Sequence, residues 1–345
     1  MTISARNSFS PPPAPWQQEL AQGFRRPAEL LRALDIPADH PGLSFEDRAF
    51  PLRVPRCFAA RMERGNPVDP LLQQVLPRKI EYHAAPGFGA DPVGDKQAMP
   101  LPGLLHKYHG RVLLVVTAAC AIHCRYCFRR HFPYGDARPG DWRGALDYIA
   151  NDGTIREVIL SGGDPLTLSD GRLADLTSGL DAIPHVKRLR IHTRLPVVLP
   201  ARIDGDFMTW LTRLRLDKVM VIHANHPNEL DDEAITALAR LKAAGITLLN
   251  QAVLLKGIND DAAVLADLSE RLFAAGVLPY YLHQLDKVQG AAHFEVDDER
   301  AMSIHRQLLI RVPGYLVPRL VRELAGKAYK SPLVPAASPP PEEMG

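Results

Sequence analysis

The stretch "CAIHCRYCFRR", residues 120–130, places three of the four cysteines of the chain within eight positions and follows them with two arginines. These cysteines, Cys120, Cys124 and Cys127, have the spacing C-x3-C-x2-C. They come just after the apolar run "RVLLVVT", which predicts a β-strand. Clustered thiols directly after a strand indicate a metal centre at the end of that strand.

Three kinds of site can use such thiols. A structural zinc site needs four ligands and would have to borrow His123 or His131. A redox pair made of Cys124 and Cys127 would leave Cys120 without a role. A [4Fe–4S] cluster uses all three thiolates and leaves one iron open to a further ligand. The spacing therefore favours the cluster.

The chain beyond residue 111 alternates between predicted strands and helices. Short apolar runs recur at roughly thirty-residue intervals: "VLLVV", "EVIL", "RLRIH", "KVMVI", "TLLNQAVLL" and "LPYYLH". Between them, "DDEAITALARLKAAG" and "DAAVLADLSERLFAAG" begin with acidic residues and end at Gly245 and Gly276, as helices do. We expect six βα units with parallel strands, which form either an open doubly wound sheet or a partial barrel.

Polar residues follow five of these apolar runs. They are Ser161-Gly162-Gly163-Asp164, His192-Thr193-Arg194, His223-Ala224-Asn225-His226, Asn250-Gln251 and His283-Gln284. A role as turn or cap residues explains any one of these groups but explains all five together poorly. Because α/β folds bind ligands at the carboxyl ends of parallel strands, we expect the functional site there.

Composition narrows the class of protein. The chain has 345 residues, of which 46% are hydrophobic, and a formal net charge of +2, which gives no reason to expect a nucleic-acid partner. It contains neither an apolar run long enough to span a membrane nor the apolar core of a signal peptide. Four cysteines are too few for a disulfide scaffold, so we expect a cytoplasmic protein.

Residues 1–100 read as an N-terminal helical accessory region, with helical patterns in "WQQELAQGF", "PAELLRALDI" and "VPRCFAARMERG". Cys57, which stands apart from the other cysteines, is predicted to be a small buried residue of a helix. The strands and helices of the core occupy residues 101–325. Residues 326–345 form a C-terminal segment that ends in a proline-rich tail.

The cysteine pattern, with an aromatic residue before the last cysteine, resembles the radical S-adenosylmethionine superfamily. The resemblance implies an α/β fold, a partial (β/α)6 barrel, in which S-adenosylmethionine binds the open iron of the cluster. "SGGDPL", residues 161–166, stands where such enzymes carry a glycine-rich stretch against the methionyl ammonium. A plain turn capped by Asp164 is the alternative for this stretch. His223 and Gln251 complete the expected cofactor-binding residues, with Ser161, Gly162, Gly163 and Asp164.

From about Pro102 to Pro332 the sequence is similar to the lysine 2,3-aminomutases. The stretches that carry this similarity are "LHKYHGRVLLV", "CRYCFRRHF", "SGGDPL", "LPVVLPARI", "HANHPNE", "LLNQAVLLKGIND", "YYLHQLDKVQGAAHF" and "GYLVPRLVRELAGKAYKSPL". The family binds pyridoxal phosphate covalently through a lysine that one residue and a proline follow. This pattern selects Lys330 over Lys327, although the family's preceding glycine run is reduced to Gly326.

The same resemblance assigns roles to five further residues. It implies that Arg129 pairs with the α-carboxylate of the substrate, that Arg111 contacts the phosphate of pyridoxal phosphate and that Tyr108 lies against its ring. Asp286 and Glu323 align with the acidic pair that binds the distant ammonium of L-lysine. Glu323 stands where catabolic relatives carry aspartate.

The short C-terminal segment, and "LRVPRCFAARMERGNPVDPLLQQVL" at residues 52–76, resemble the branch that supplies β-lysine for the modification of elongation factor P. That branch implies two partners, a reducing donor such as flavodoxin or ferredoxin and a synthetase-like ligase.

Two alternatives stay open at this point. One is another radical aminomutase, of the glutamate type or the catabolic lysine type, and the other is a non-catalytic iron–sulfur or zinc protein.

Overall fold

The computed structural model describes residues 13–37, 39–43, 49–137 and 140–333. The proline-rich tail that the sequence predicts after residue 333 lies outside the described residues.

One sheet of nine strands forms the framework, and the strands follow one another in chain order. They are β1 (Leu104–Tyr108), β2 (Arg111–Thr117), β3 (Glu157–Gly162), β4 (Arg188–Thr193), β5 (Asp217–Ile222), β6 (Thr247–Val253), β7 (Leu278–His283), β8 (Arg319–Arg322) and β9 (Ser331–Pro332). Strands β2 to β8 are parallel, and the edge strands β1 and β9 are antiparallel to their neighbours. No pairing between the described residues joins β1 to β9, so the barrel is partial, as predicted.

Helices lie in the N-terminal region and after each strand from β2 to β7. They are α1 (Pro15–Ala21), α2 (Pro27–Ala33), α3 (Arg56–Ala59), α4 (Pro70–Gln73), α5 (Arg143–Asn151), α6 (Asp170–Asp181), α7 (Leu195–Val198), α8 (Gly205–Arg213), α9 (Asp232–Ala243), α10 (Ala262–Ala274) and α11 (Asp298–Arg311). The six predicted βα units are therefore confirmed. None of the described helices is both long enough and apolar enough to cross a bilayer.

The two helices that the sequence shows best, α9 and α10, are capped at both ends. Asp231 and Asp261 each accept a backbone N–H of the first turn, at 2.9 and 2.6 Å. Gly245 and Gly276 adopt φ angles of 76° and 79° just beyond the last turn, where glycine has no steric cost. The sequence signals for where these helices begin and end are correct.

The N-terminal helices share the core of the barrel. Trp16, Phe58 and Leu72 belong to one buried cluster with Leu114 of β2 and Ile191 of β4. Because a single apolar cluster runs through both parts, the described residues between 13 and 76 are packed onto the barrel as an integral layer.

Cys57 lies in α3, but it is half-buried rather than fully buried as expected. Its Sγ donates to the backbone carbonyl of Val198 at 3.2 Å. Burial raises the pKa of this thiol well above its ordinary value, so it stays protonated and unreactive.

Alternation along the strands produces a polar interior. On β4, Leu189 and Ile191 are buried in the core, whereas Arg190 and His192 line a cavity inside the barrel. Gln251 does the same on β6. Because successive side chains of a strand point to opposite faces, the inward set gathers inside the open barrel.

Candidate active site

One cavity of about 820 Å³ contains every site residue that the sequence predicts. Its lining includes Tyr108, Arg111, Cys120, Cys124, Cys127, Arg129, Ser161, Gly162, Gly163, Asp164, His223, Gln251, Asp286, Glu323 and Lys330. Lys327 is exposed and does not line it. A second cavity, of about 470 Å³, includes Arg111 but none of the other predicted site residues.

The cysteine loop follows β2 and forms one wall of the cavity. Burial, reinforced by the neighbouring thiols, raises the pKa of Cys120 well above its ordinary value and that of Cys127 to about 11. Cys124 receives a hydrogen bond at 2.8 Å from Nη1 of Arg194. Three clustered thiols beside a buried cation suit an anionic iron–sulfur cluster, since an electropositive neighbour favours the thiolate form that ligates iron.

The structure does not support a zinc site at these cysteines. His123 forms a hydrogen bond with the carbonyl of Pro51 at 2.7 Å, and His131 forms one with the carbonyl of Gln289 at 3.2 Å. Neither histidine lines the cavity. Among the described residues, no three His, Cys, Asp or Glu side chains are grouped around a point that a single metal ion would occupy. A cubane cluster is larger than one ion and requires thiols that are spread more widely.

Two glycines let the end of β3 touch the cysteine loop. The N–H groups of Gly163 and Asp164 donate to the carbonyls of Thr117 and Ala119, both at 2.7 Å. A Cβ atom on Gly163 would lie 2.3 Å from the Ala119 oxygen, and Gly162 adopts a φ angle of 117°. Larger residues would push the two loops apart, so the glycines set the shape of this wall.

Asp164 ties this wall to the next strand. Its carboxylate accepts hydrogen bonds from the backbone N–H of Leu166 at 3.1 Å, the hydroxyl of Thr193 at 2.7 Å and the backbone N–H of Arg194 at 2.7 Å. Burial raises the pKa of Asp164 to about 6. The cap interpretation is thus correct for the side chain, although the residue also lines the cavity.

Arg129 is buried and held on two sides. Its Nε donates to Oδ2 of Asp95 at 2.8 Å, and its Nη1 donates to Oγ of Ser161 at 3.0 Å. The guanidinium carbon lies 4.7 Å from the ring centre of Phe128 and 5.9 Å from that of Phe132. A rigid planar cation at a cavity wall is suited to a planar carboxylate.

Tyr108 and Arg111 lie together on the β1–β2 hairpin. The guanidinium carbon of Arg111 is 4.6 Å from the ring centre of Tyr108. Burial, and then the charge of Glu323, raise the pKa of the phenol, so Tyr108 stays neutral. Together with Lys330 in the same cavity, these residues fit pyridoxal phosphate. The face of Tyr108 suits its ring, Arg111 suits its phosphate and Lys330 suits its aldehyde carbon.

The two predicted acidic residues differ in environment. Oε2 of Glu323 lies 2.5 Å from Nζ of Lys330, and its Oε1 lies 3.1 Å from Nζ of Lys107. Although burial opposes it, these two cations lower the pKa of Glu323 to about 2. Oδ1 of Asp286 is buried with no hydrogen-bond partner among the described residues. Burial, and then Glu323, raise the pKa of Asp286 to about 7.

Three imidazoles line the cavity around Lys330. The Nε2 atoms of His192, His223 and His283 are buried without a hydrogen-bond partner among the described residues. Burial lowers the pKa of all three, so the rings are neutral. Of these, the sequence assigned a role only to His223. His192 and His283 carry the same signal, because both follow an apolar run.

Arg125 and Arg130, to which the sequence assigned no role, share one carboxylate. Nε of Arg125 lies 3.0 Å from Oε1 of Glu81, and Nη2 of Arg130 lies 3.0 Å from its Oε2. Neither arginine lines the cavity. These contacts anchor the cysteine loop to the N-terminal region.

Comparisons with known proteins indicate the family of the chain. Residues 114–268 match the model of the radical SAM superfamily. The chain is 52% identical to the L-lysine 2,3-aminomutase of Escherichia coli (strain K12), over 92% of this chain and 94% of the relative. It is also 52% identical to the enzyme of that name from Haemophilus influenzae, with the same coverage. The enzyme of that name from Clostridium subterminale is 33% identical, over 93% of this chain and 78% of the relative. A solved radical SAM methyltransferase from Sphaerobacter thermophilus has a TM-score of 0.42 and 19% identity, over 64% of this chain and 68% of its own. This likeness is too distant to support a conclusion about the chain.

Proposed function

Since the chain belongs to the L-lysine 2,3-aminomutase family of radical S-adenosylmethionine enzymes, we propose that its cavity binds L-lysine through the residues assigned below. The family reaction moves the amino group of L-lysine from C2 to C3 and gives β-lysine, so the chain is an isomerase. The observation that carries the site assignment is that all the predicted residues line one cavity.

The family implies three cofactors, and the residues present fit them. Cys120, Cys124 and Cys127 would hold a [4Fe–4S] cluster, and Lys330 would hold pyridoxal phosphate, with Arg111 at the phosphate. Ser161, Gly162, Gly163, Asp164, His223 and Gln251 would surround S-adenosylmethionine. When bound, these groups supply the radical chemistry of the rearrangement.

The protein itself positions the substrate at both ends. Arg129 takes the α-carboxylate, because Asp95 and Ser161 fix its guanidinium at the cavity wall. The distant ammonium lies toward Asp286, whose Oδ1 has no hydrogen-bond partner in the described part of the chain, and toward Glu323. Binding at both ends fixes C3 of the substrate in the cavity, which is what hydrogen transfer over a short distance requires.

Within the family, we place the chain in the branch that supplies β-lysine for elongation factor P. Two points support this: the resemblance of residues 52–76 to that branch, and an identity of 52% to the Escherichia coli and Haemophilus influenzae relatives against 33% to the Clostridium enzyme. The proposal includes a cytoplasmic location, a flavodoxin or ferredoxin as electron donor and a synthetase-like ligase that accepts the product.

Anaerobic purification, reconstitution and incubation with L-lysine test the reaction, with β-lysine identified by mass and chromatography. The elongation factor P assignment has a separate test in cells that lack the gene. We expect the factor to lose the mass of the β-lysyl group, and wild-type protein, but not Cys127→Ala, to restore it. An unchanged mass would refute the branch assignment while leaving the aminomutase reaction intact.

A further inference from the structure

Five charged side chains form a continuous row of ion pairs along the cavity wall. Nε of Arg129 lies 2.8 Å from Oδ2 of Asp95, and Oδ1 of Asp95 lies 2.6 Å from Nζ of Lys107. Nζ of Lys107 lies 3.1 Å from Oε1 of Glu323, whose Oε2 lies 2.5 Å from Lys330. This row of ion pairs connects Arg129, the cation proposed for the α-carboxylate, to Glu323, a carboxylate proposed for the distant ammonium.

Lys107, at the centre of this row, has no N–H donor left for a ligand. An ammonium has three N–H donors, and besides Asp95 and Glu323 the Nζ atom contacts the carbonyl of Val93 at 2.8 Å. Its acceptors lie in the 91–96 loop and just after β8. Lys107 is therefore a fixed internal cation that acts on the site through its two carboxylates.

The effect on Asp95 follows from counting charges. Asp95 is 2% exposed, and although burial opposes it, Arg129 and Lys107 hold its pKa below the ordinary value, so it is an anion. Arg129 and Asp95 alone would sum to zero charge and would attract an incoming carboxylate weakly. Lys107 adds one positive charge to this wall and so compensates Asp95, although it also contacts the anionic Glu323; this matters because charges inside a cavity are poorly screened.

A second effect concerns Glu323. When Lys330 carries the cofactor, its amine no longer serves as a separate ammonium, and Glu323 would lose one of its two cations. Lys107 remains at 3.1 Å and keeps that carboxylate in place. Both ends of the substrate site thus depend on the same ammonium.

We propose that Lys107 is a positioning residue that neutralises Asp95, so that the positive charge of Arg129 is available to the α-carboxylate of the substrate. This rests on the proposed function of Arg129 and extends it to residues to which no role has been assigned. The effect of Lys107 should apply to the binding of any α-amino acid, because each carries the carboxylate that Arg129 would bind.

The test uses holoenzyme with cluster and pyridoxal phosphate, and follows the binding of norleucine by the change in pyridoxal absorbance. Norleucine lacks the distant ammonium, so its affinity reports the α-carboxylate end alone. We expect Lys107→Met to weaken norleucine binding roughly ten- to a hundredfold. The double variant Asp95→Asn/Lys107→Met removes one anion and one cation, restores the wild-type charge sum and should bind norleucine within about tenfold of wild type. Lys187→Met, at an exposed lysine outside the cavity, is the matched control.

A purely structural role for Lys107 predicts a different pattern, in which the double variant binds no better than Lys107→Met. That result would overturn the proposal, and so would unchanged norleucine affinity in Lys107→Met. If Lys107→Met loses its brown and pyridoxal absorbance, the double variant should retain both, because it buries no uncompensated Asp95 charge. Loss of the bands in both variants would also refute the proposal. Failure of wild type to convert lysine would instead refute the proposed function.

Discussion

Glu323 forms an ion pair with Lys330, with 2.5 Å between Oε2 and Nζ. Since Lys107 takes its other oxygen, only the oxygen that faces Lys330 is open to a substrate cation once Lys330 carries the cofactor. Asp286, by contrast, has a buried oxygen with no partner among the described residues. An unpaired buried acceptor is costly, and a ligand ammonium would satisfy it. Asp286 is therefore the stronger candidate for recognising lysine.

Replacing Asp286 by asparagine should reduce the specificity for lysine. A charge-assisted hydrogen bond contributes about 1.5 to 3 kcal/mol, so kcat/KM for lysine should fall roughly ten- to a hundredfold or more. The affinity for norleucine should change little. Asp298→Asn, at a carboxylate whose side chain is 48% exposed, is the control. If wild type and Asp286→Asn discriminate equally between lysine and norleucine, the ammonium is recognised elsewhere.

The affinity for lysine should rise with pH between about 6 and 8. Burial and Glu323 raise the pKa of Asp286 to about 7, with Lys330 and Lys107 opposing the shift and Asp95 adding to it. Asp286 is thus mostly protonated at the lower pH and ionised at the higher one, while the lysine ammonium stays charged because its ordinary pKa is about 10.4. KM should fall across this range in wild type and stay flat in Asp286→Asn.

The same shift has a consequence for stability. A carboxyl whose pKa is raised by folding contributes stability below its unfolded pKa and loses it as the pH rises through about 7. Without lysine, the melting temperature of wild type should therefore fall more between pH 6 and 8 than that of Asp286→Asn. A parallel fall in the two proteins would show that Asp286 does not titrate in this range.

Lys330, rather than Lys327, should carry pyridoxal phosphate. Lys330 lines the cavity beside Glu323, whereas Lys327 is exposed and outside it. Reduction of the holoenzyme with borohydride, followed by digestion and peptide mass analysis, locates the pyridoxyl group. Label on Lys327 alone would contradict the assignment and leave the reaction class unchanged.

Alanine at Cys120, Cys124 or Cys127 should abolish the brown absorbance or the cleavage of S-adenosylmethionine. A cluster with three protein ligands has none to spare. Cys57→Ala is the matched control, because Cys57 lies in α3 outside the cavity and should affect stability at most. Full cleavage activity in any of the three cavity variants would exclude the cluster assignment.

Local patterns were sufficient to predict the barrel core. Each strand from β2 to β7 coincides with a short apolar run of the sequence, and α9 and α10 carry capping residues that the sequence displays directly. The strands β8 and β9 were missed because they have four and two residues, too few for a periodic pattern. β1, "LLHKY", was missed because its apolar run is short and it pairs only through the hairpin with β2.

The site was predicted as a set of residue types, but its internal connections were not. Asp95 lies in a loop with no periodic signal, and Lys107 was read only as part of a motif. Their role depends on a contact between residues 107 and 323, which are far apart in the chain. Such pairs arise from tertiary packing, so a pattern read over short windows cannot reveal them.

Arg194 is a third residue of this kind, and it leads to a prediction about the cluster. Its Nη1 donates to Sγ of Cys124 at 2.8 Å, while Nη2 is held by Gln74 at 2.7 Å and Glu229 at 2.8 Å. A hydrogen bond and a positive charge at a ligand sulfur stabilise the more negative, reduced state of an iron–sulfur cluster.

Arg194→Gln should therefore lower the midpoint potential of the cluster, so that a stronger reductant is needed to reduce it. Arg194→Lys keeps the charge and should shift the potential less. The measurement is a redox titration of the reconstituted protein followed by electron paramagnetic resonance, which reads the cluster independently of lysine turnover. An unchanged or raised potential in Arg194→Gln would show that this contact does not influence the cluster.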